Sequence, residues 1–295
     1  MGIDWGAGAR ELTSRVTVLT GPGNGAYPSG NSLYVRGDGE AVIIDPSVTV
    51  VSMGGAPGPV DAVINSHSHE DHVAGNGFFS DARVHIHRDD LHGVASLEGL
   101  MDVYGWEGNG REVWAKTVVE EFHFTPRPDA AGFVGGTTVE AVHLPGHTRG
   151  HSGFRISGGV FFLSDIDLTG FGPYYGDAWS DLEDFEASLA AVRDEEADHY
   201  VTFHHRGVIE GREEFLRLLD GFTAVIPRRH EEMLEFLSEP RTIDEMVARR
   251  FVYRPHVQLG FVELVERRTA TLHLQRMLRR GEVTELEPGS FQRTL

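Results

Sequence analysis

Apolar positions along this chain fall in short runs, each closed by Gly, Pro, Asn or Asp, a spacing that predicts strands joined by tight turns. Residues 14–20 and 32–36 alternate partly and read as strands, with the turn-dense segment 21–31 between them. Gly37-Asp38-Gly39 predicts a hairpin turn into Ala41-Val42-Ile43-Ile44, a run that stops at Asp45-Pro46 because proline cannot extend sheet pairing. Further strands are expected at 59–64, 83–87, 138–144, 159–164 and 199–203. Residues 181–195 predict a helix: Leu182, Phe185, Leu189 and Val192 share one face, and Ser180 or Asp181 can cap it. Segment 89–121 is mixed and reads as a helical or irregular insert, with Met101, Tyr104, Trp106 and Trp114 assigned to core or lid packing.

Several strands end directly in polar residues, which predicts an α/β sandwich with its site on loops at one edge of the sheets. The texture changes near residue 222, giving an expected catalytic domain over 1–221 and a small domain over 222–295. In the latter, Thr242-Ile243-Asp244-Glu245 matches a capping box. A long helix is expected near 260–280, stopped by Gly281 and followed by a hairpin turning at Pro288-Gly289. Helices followed by a hairpin form a winged-helix-like pattern.

Composition narrows the chemistry. With 40% hydrophobic and 24% charged residues in 295, the chain has the balance of an ordinary globular protein. No apolar run approaches the ~20 residues that span a bilayer, and the N-terminus lacks a secretory layout, so no membrane role and a cytoplasmic location are expected. There is no cysteine, which removes disulfides, thiol nucleophiles and iron–sulfur clusters. A transition-metal site must then come from carboxylates and the 16 histidines. The net charge of −19 disfavours nucleic acid as a partner without forbidding a local basic patch. A small-molecule substrate is expected, and self-association as a homodimer is left open.

The histidines cluster in His67-Ser68-His69-Glu70-Asp71-His72, at a predicted strand-to-helix junction. In extended chain His67 and His69 point to one side, and a helical turn then presents Asp71 and His72 toward a neighbouring point. One segment can thus serve two metals. Downstream, His147 sits in Pro145-Gly146-His147-Thr148-Arg149-Gly150-His151, Asp165 follows the strand 159–164, and Phe203-His204-His205-Arg206-Gly207 closes the last strand.

In these motifs, and over roughly residues 14–215, the chain resembles the metallo-β-lactamase superfamily. The resemblance implies an αββα sandwich in which His67, His69 and His147 hold one metal. It gives Asp71, His72 and His205 to the second metal, and Asp165 to both. It also implies that Asp45 braces the site from behind, with His151 in a structural or supporting role. Ser164 stands where the family usually has Gly. Asp167 competes with Asp165, and His204 with His205, which is preferred because His-Arg-Gly-Val-Ile aligns best with the family pattern. The early Gly-rich loop and the tail are similar to the branch with a C-terminal winged helix, some members of which are endoribonucleases while others cleave esters or thioesters.

A sulfur-free imidazole and carboxylate set suits two divalent ions, Zn²⁺ first, with Mn²⁺ or Fe as alternatives. Such a pair lowers the pKa of a shared water toward ~7, and Asp71 is the expected catalytic carboxylate. A hydrolase of a small ester, thioester or lactone is therefore expected. The alternatives are a phosphodiesterase or endoribonuclease, an iron-dependent oxygenase on the same fold, and a binding protein without turnover. Tyr174, Tyr175 and Trp179 are candidate pocket residues, whereas His85, His87 and His92 are read as ordinary surface or strand histidines. Arg267, Arg268, Arg276, Arg279 and Arg280 could form a stripe on the long helix. Residues 241–295 hold ten Arg against seven acidic residues, too small an excess to make a strong nucleic-acid binder.

Overall fold

The computed structural model describes residues 2–133 and 139–294, so Thr138, the first residue of the expected strand 138–144, lies outside the described residues. One sheet takes its strands in chain order: β1 (Ala9–Glu11), β2 (Val16–Leu19), β3 (Ser32–Arg36), β4 (Ala41–Ile44), β5 (Ala62–Ile64), β6 (Arg83–Ile86) and β7 (Ala131–Gly132). It is antiparallel from β1 to β4 and parallel from β4 to β7. The second sheet comprises β8 (Val139–His143), β9 (Ser152–Ile156), β10 (Val160–Ser164), β11 (His199–Thr202) and β12 (Val208–Glu210), in spatial order β12-β11-β10-β9-β8. Among the described residues only its β10–β11 pair is parallel.

The period-two alternation places the core. Val16, Val18, Leu33, Val35 and Ile44 face Phe154, Phe162, Val201 and Phe203 across the gap between the sheets. On the outer face of the first sheet, Leu19, Tyr34, Ile43 and Val63 are covered by Trp5 and by Val50 of the short helix Val48–Met53. The outer face of the second sheet presents Phe161, Leu163 and Tyr200 to Phe185 and Leu189 of the helix Leu182–Val192 and to Phe215 and Leu219 of the helix Arg212–Thr223. Asp181, rather than Ser180, caps the first of these helices, accepting from the N–H groups of Glu183 and Asp184. The layers therefore run helix, sheet, sheet, helix.

The insert forms the helices Leu97–Tyr104 and Gly108–Glu120, which bury Leu100, Met101 and Val118 with Val73, Ile86 and Phe124. Residue 222 lies within the helix Arg212–Thr223, and Phe222 packs into the sandwich core. Beyond it come the helices Val225–Phe236, Ile243–Arg249 and Val262–Arg280. A three-stranded sheet, β13 (Arg241–Thr242), β14 (Val283–Glu287) and β15 (Ser290–Arg293), completes the tail in the order β13-β15-β14. The Thr242–Glu245 capping box is formed, and Gly281 ends the long helix at φ 71°.

Four of the five arginines of that helix are engaged within the chain. Arg267 pairs with Asp244 and Glu263, Arg276 with Glu186, and Arg279 with Glu183. Arg268 donates to the carbonyls of Asp177, Ala178 and Ser180, tying the tail to the loop after β10. Among the described residues no helix is long and apolar enough to cross a membrane.

Candidate metal centre

Every component of the site stands at a strand end on one edge of the sandwich. β4 delivers Asp45, β5 leads into Ser66-His67-Ser68-His69, and the short helix Glu70–Val73 carries Asp71 and His72. β8 leads through Pro145-Gly146 to His147, β10 ends at Ser164-Asp165, and β11 ends just before Phe203-His204. Gly146 has φ 121°, and a Cβ there would lie 2.2 Å from the Phe185 backbone nitrogen, so only glycine lets this turn carry His147 inward.

Two groups of ligand atoms result. In the first, His147 Nε2 lies 3.2 Å from His67 Nε2, 3.1 Å from His69 Nδ1 and 3.2 Å from Asp165 Oδ2. In the second, His204 Nε2 lies 3.0 Å from Asp71 Oδ2, and His72 Nε2 lies 3.0 Å from Asp165 Oδ1. Asp165 thus turns one oxygen toward each group. Asp167 does not compete for that place, because its Oδ1 accepts from the backbone N–H and hydroxyl of Thr169.

The outward nitrogens of the five histidines decide what the inward ones can do. His147 Nδ1 meets the Tyr174 carbonyl at 2.9 Å, and His204 Nδ1 meets the Gly25 carbonyl at 2.8 Å. His72 Nδ1 meets Asp45 Oδ2 at 2.8 Å, His69 Nε2 meets Asp177 Oδ2 at 3.1 Å, and His67 Nδ1 meets Ser66 Oγ at 3.0 Å. A carbonyl or carboxylate can only accept, and the Ser66 hydroxyl spends its proton on Asp45 Oδ2, so in each neutral ring the proton sits on the outward nitrogen and the inward nitrogen keeps a lone pair. Lone pairs then face lone pairs and carboxylate oxygens. His72 Nε2, Asp71 Oδ2 and Asp165 Oδ1 are buried without a hydrogen-bond partner. Such an arrangement is unfavourable by itself and is relieved by cations, so the residues present fit two metal ions.

Where no cation neutralises the carboxylates, protons on His72 and His204 take that place. Burial alone would raise the Asp165 pKa, but His72 and His204 hold it well below the usual carboxylate range. Burial would depress His204, but Asp165 and Asp71 outweigh it and lift that ring to about 9. His151 is pushed down to about 3 by burial, reinforced by His147; its Nδ1 meets the Leu144 carbonyl at 2.8 Å and its Nε2 accepts from the Asp165 N–H at 3.3 Å.

Asp45 is fully buried, with φ 47°, and accepts from the Ser66 N–H, the Ser66 hydroxyl and His72. Ser164 also has positive φ, 52°, the backbone state in which glycine is unstrained. Serine there gains a hydrogen bond, its hydroxyl donating to Ser66 Oγ at 2.7 Å.

Three sequence expectations are corrected. His204 and not His205 enters the site: the chain adopts φ 62° at His205, which leaves that side chain exposed at the pocket mouth, whereas the buried His204 is held on Gly25. Tyr175 does not line the pocket; it is buried against the tail helix, its hydroxyl 2.9 Å from His273 Nε2. Trp179 also lies outside the lining, stacked beneath the Arg149 guanidinium. Tyr174 does line the pocket.

Sequence reasoning missed Asp177 and Asp90. The fully buried Asp90 accepts from the Ser68 N–H, the Thr148 hydroxyl and the Gly150 N–H, binding the His67–His69 loop to the His147 loop. It also missed Glu70, which lines the pocket, is hydrogen-bonded by Tyr104 and Tyr27, and is raised to about 7 mainly by burial. A third grouping, His87, Asp89 and His143, lies elsewhere. The rings of His87 and His143 stack 4.0 Å apart at 9°, which sets their in-plane lone pairs parallel rather than aimed at one ion.

A cavity of about 720 Å³ opens over both groups. Its floor includes His69, Asp71, His147, Asp165 and His204, and its walls are largely aromatic.

A family model described as "Metallo-beta-lactamase superfamily" matches residues 27–223. Among solved structures, a metallo-beta-lactamase family protein from Thermus thermophilus is 21% identical with TM-score 0.70, over 96% of this chain and 100% of that one. A beta-lactamase domain protein from Burkholderia ambifaria is 16% identical with TM-score 0.66, over 97% and 93%. At such identities the likeness is one of fold, and it runs through the tail as well. No curated protein matches the sequence.

Proposed function

The chain belongs to the metallo-beta-lactamase superfamily, and on that premise we propose that it is a two-metal hydrolase of a small ester, thioester or lactone. The carrying observation is the set of inward lone pairs on His67, His69, His72, His147 and His204, shared with Asp71 and Asp165 at the floor of a substrate-sized cavity. His67, His69 and His147 would hold one ion, Asp71, His72 and His204 the other, and Asp165 both. Sulfur-free imidazole and carboxylate ligands suit Zn²⁺, with Mn²⁺ or iron as alternatives. Bound there, the ions supply Lewis acidity and a water-derived nucleophile at neutral pH.

The chain's own residues do the rest. Asp71 and Asp165 present carboxylate oxygens to the cavity floor, where they can orient the attacking water and accept its proton. Asp45 and Asp177 hold His72 and His69 in the tautomer that faces inward. Water is kept from the acyl part of a substrate by the aromatic walls.

A small uncharged substrate is favoured over a phosphodiester by the fate of the tail arginines, four of which are spent on partners within the chain. The winged-helix-like segment 222–295 is accordingly read as part of the enzyme body. The test is a protein loaded in turn with Zn²⁺, Mn²⁺ and Fe²⁺ and given p-nitrophenyl acetate, an acyl thioester, γ-butyrolactone and bis-p-nitrophenyl phosphate. Ester, thioester or lactone turnover is expected, falling on the order of 10²–10⁴-fold in Asp71→Ala. Cleavage of the phosphodiester alone would overturn the reading.

A further inference from the structure

The cavity above the metal centre is walled by three stretches distant in sequence. Trp106 and Trp114 come from the insert, Phe171 from the loop after β10, and Tyr253, Leu259 and Phe261 from the tail. Their rings form one connected belt. Trp106 and Trp114 lie 6.3 Å apart, Trp114 meets Phe261 edge-on at 6.4 Å, Phe261 meets Tyr253 at 5.9 Å, and Tyr253 meets Phe171 at 5.4 Å. Each spacing falls within or at the margin of ordinary aromatic pairing.

The tail's share of this wall is anchored. Glu266, buried on the long helix, accepts from the backbone N–H groups of Phe251, Val252 and Tyr253 at 2.7–3.2 Å. Arg250 Nη1 donates to the Val257 carbonyl at 2.7 Å. A carboxylate taking several backbone donors is a strong, directional clamp. The segment is therefore a built wall, and Leu259 at its rim is 54% exposed, an apolar side chain with room for an apolar neighbour.

Charge limits what can fill the space. Beyond the carboxylates assigned to the ions, Glu70, Asp167 and Asp177 line it, and Arg206, whose Nε donates to the Leu168 carbonyl, is the one arginine or lysine in the lining among the described residues. A phosphate- or carboxylate-bearing tail would meet carboxylates on leaving water, whereas a hydrocarbon would meet rings.

We infer that residues 250–265 form the specificity wall of the metal pocket and select acyl groups that are uncharged hydrocarbon chains. As a statement about substrates, this rests on the hydrolase reading; as a statement about binding, it is tested without turnover.

The metal-loaded protein is titrated with acetamide, hexanamide and decanamide, read by tryptophan fluorescence, and assayed in parallel with p-nitrophenyl acetate, hexanoate and decanoate. Amide affinity is expected to rise about fourfold per methylene until the pocket is full. In Leu259→Asp, at an exposed position that the fold tolerates, decanamide affinity and the decanoate-to-acetate ratio of kcat/KM are expected to fall at least tenfold. Phe261→Ala should act in the same direction. Amide binding that is independent of chain length, or a Leu259→Asp protein that binds decanamide as the native one does, overturns the inference. Length-dependent amide binding without hydrolysis of any ester supports the wall and removes the hydrolase reading instead.

Discussion

Replacing Asp45 by Asn changes one oxygen to an amide at a position with no solvent exposure, and the consequence is felt two atoms away from the carboxylate, on the far nitrogen of His72. In the native arrangement Oδ1 accepts from the Ser66 N–H at 2.6 Å, while Oδ2 accepts from the Ser66 hydroxyl at 2.6 Å and from His72 Nδ1 at 2.8 Å. Asn keeps the first bond with its oxygen and sets an NH₂ group against two former donors. The Ser66 hydroxyl can rotate to accept. His72 Nδ1 can accept only if its proton moves to Nε2, the atom 3.0 Å from Asp165. That tautomer has no lone pair for a metal. Each hydrogen bond to a charged group contributes about 1.5–3 kcal/mol, and hydroxyl rotation recovers part of the loss, so the fold should survive with a cost of roughly 2–3 kcal/mol. The larger effect is on the ion held by Asp71, His72 and His204. Loss of such a brace typically costs 10–100-fold in metal affinity, or about 1.4–2.8 kcal/mol. Chelator competition with metal analysis reads this directly: one equivalent should leave the Asp45→Asn protein at correspondingly lower chelator, while the other leaves as in the native protein. Two equivalents retained with native affinity would show that the tautomer of His72 is not set by Asp45.

Other expectations follow from the same geometry. His204→Ala should lose one metal equivalent and most activity, whereas His205→Ala should keep both equivalents and alter only KM; the reverse outcome in metal analysis would restore His205 as the ligand. Stripping the metals should destabilise the fold, because each ion present at a hundred times its Kd contributes about 2.7 kcal/mol; a fall in Tm of roughly 10 °C is expected in a melting assay, and an unchanged Tm would count against a loaded site. His151, held to about 3 in the fold against an ordinary 6.5, takes up its proton on unfolding between those values. Its contribution is therefore present above pH 6.5 and is lost as pH falls toward 3, at about 1.4 kcal/mol per unit. Urea titrations of metal-free protein between pH 7 and 5 should show a shallower acid limb in His151→Gln, and equal slopes would contradict this.

How much of this could be read from the sequence depended on distance along the chain. His67 through His72 were legible because strand alternation and one helical turn suffice to aim them, and Asp45, His147 and Asp165 because each follows a recognisable strand and matches a motif of the family the chain resembles. His204 and His205 could not be told apart, since adjacent residues at a strand end are separated only by the φ that the second one adopts. Tyr175 failed for a similar reason: Tyr174 faces the cavity as expected, whereas its neighbour faces the tail helix. Asp177 carries no local signal at all: its partner His69 lies more than a hundred residues earlier. The tail was legible as helices, a capping box and a hairpin, but not as a wall of the cavity, because nothing periodic marks Tyr253, Leu259 or Phe261 as inward-facing toward a site formed by the other end of the chain.

The five outward contacts of the histidines differ in how open they are to genetic change. His147 and His204 hang on main-chain carbonyls, of Tyr174 and Gly25, which no codon change can delete. His67, His69 and His72 depend on the side chains of Ser66, Asp177 and Asp45, each one nucleotide substitution from a residue that cannot hold them. Inherited damage to this centre should therefore accumulate at those three silent supporters as readily as at the ligands themselves, and a variant that looks intact at every ion-facing position can still be disarmed.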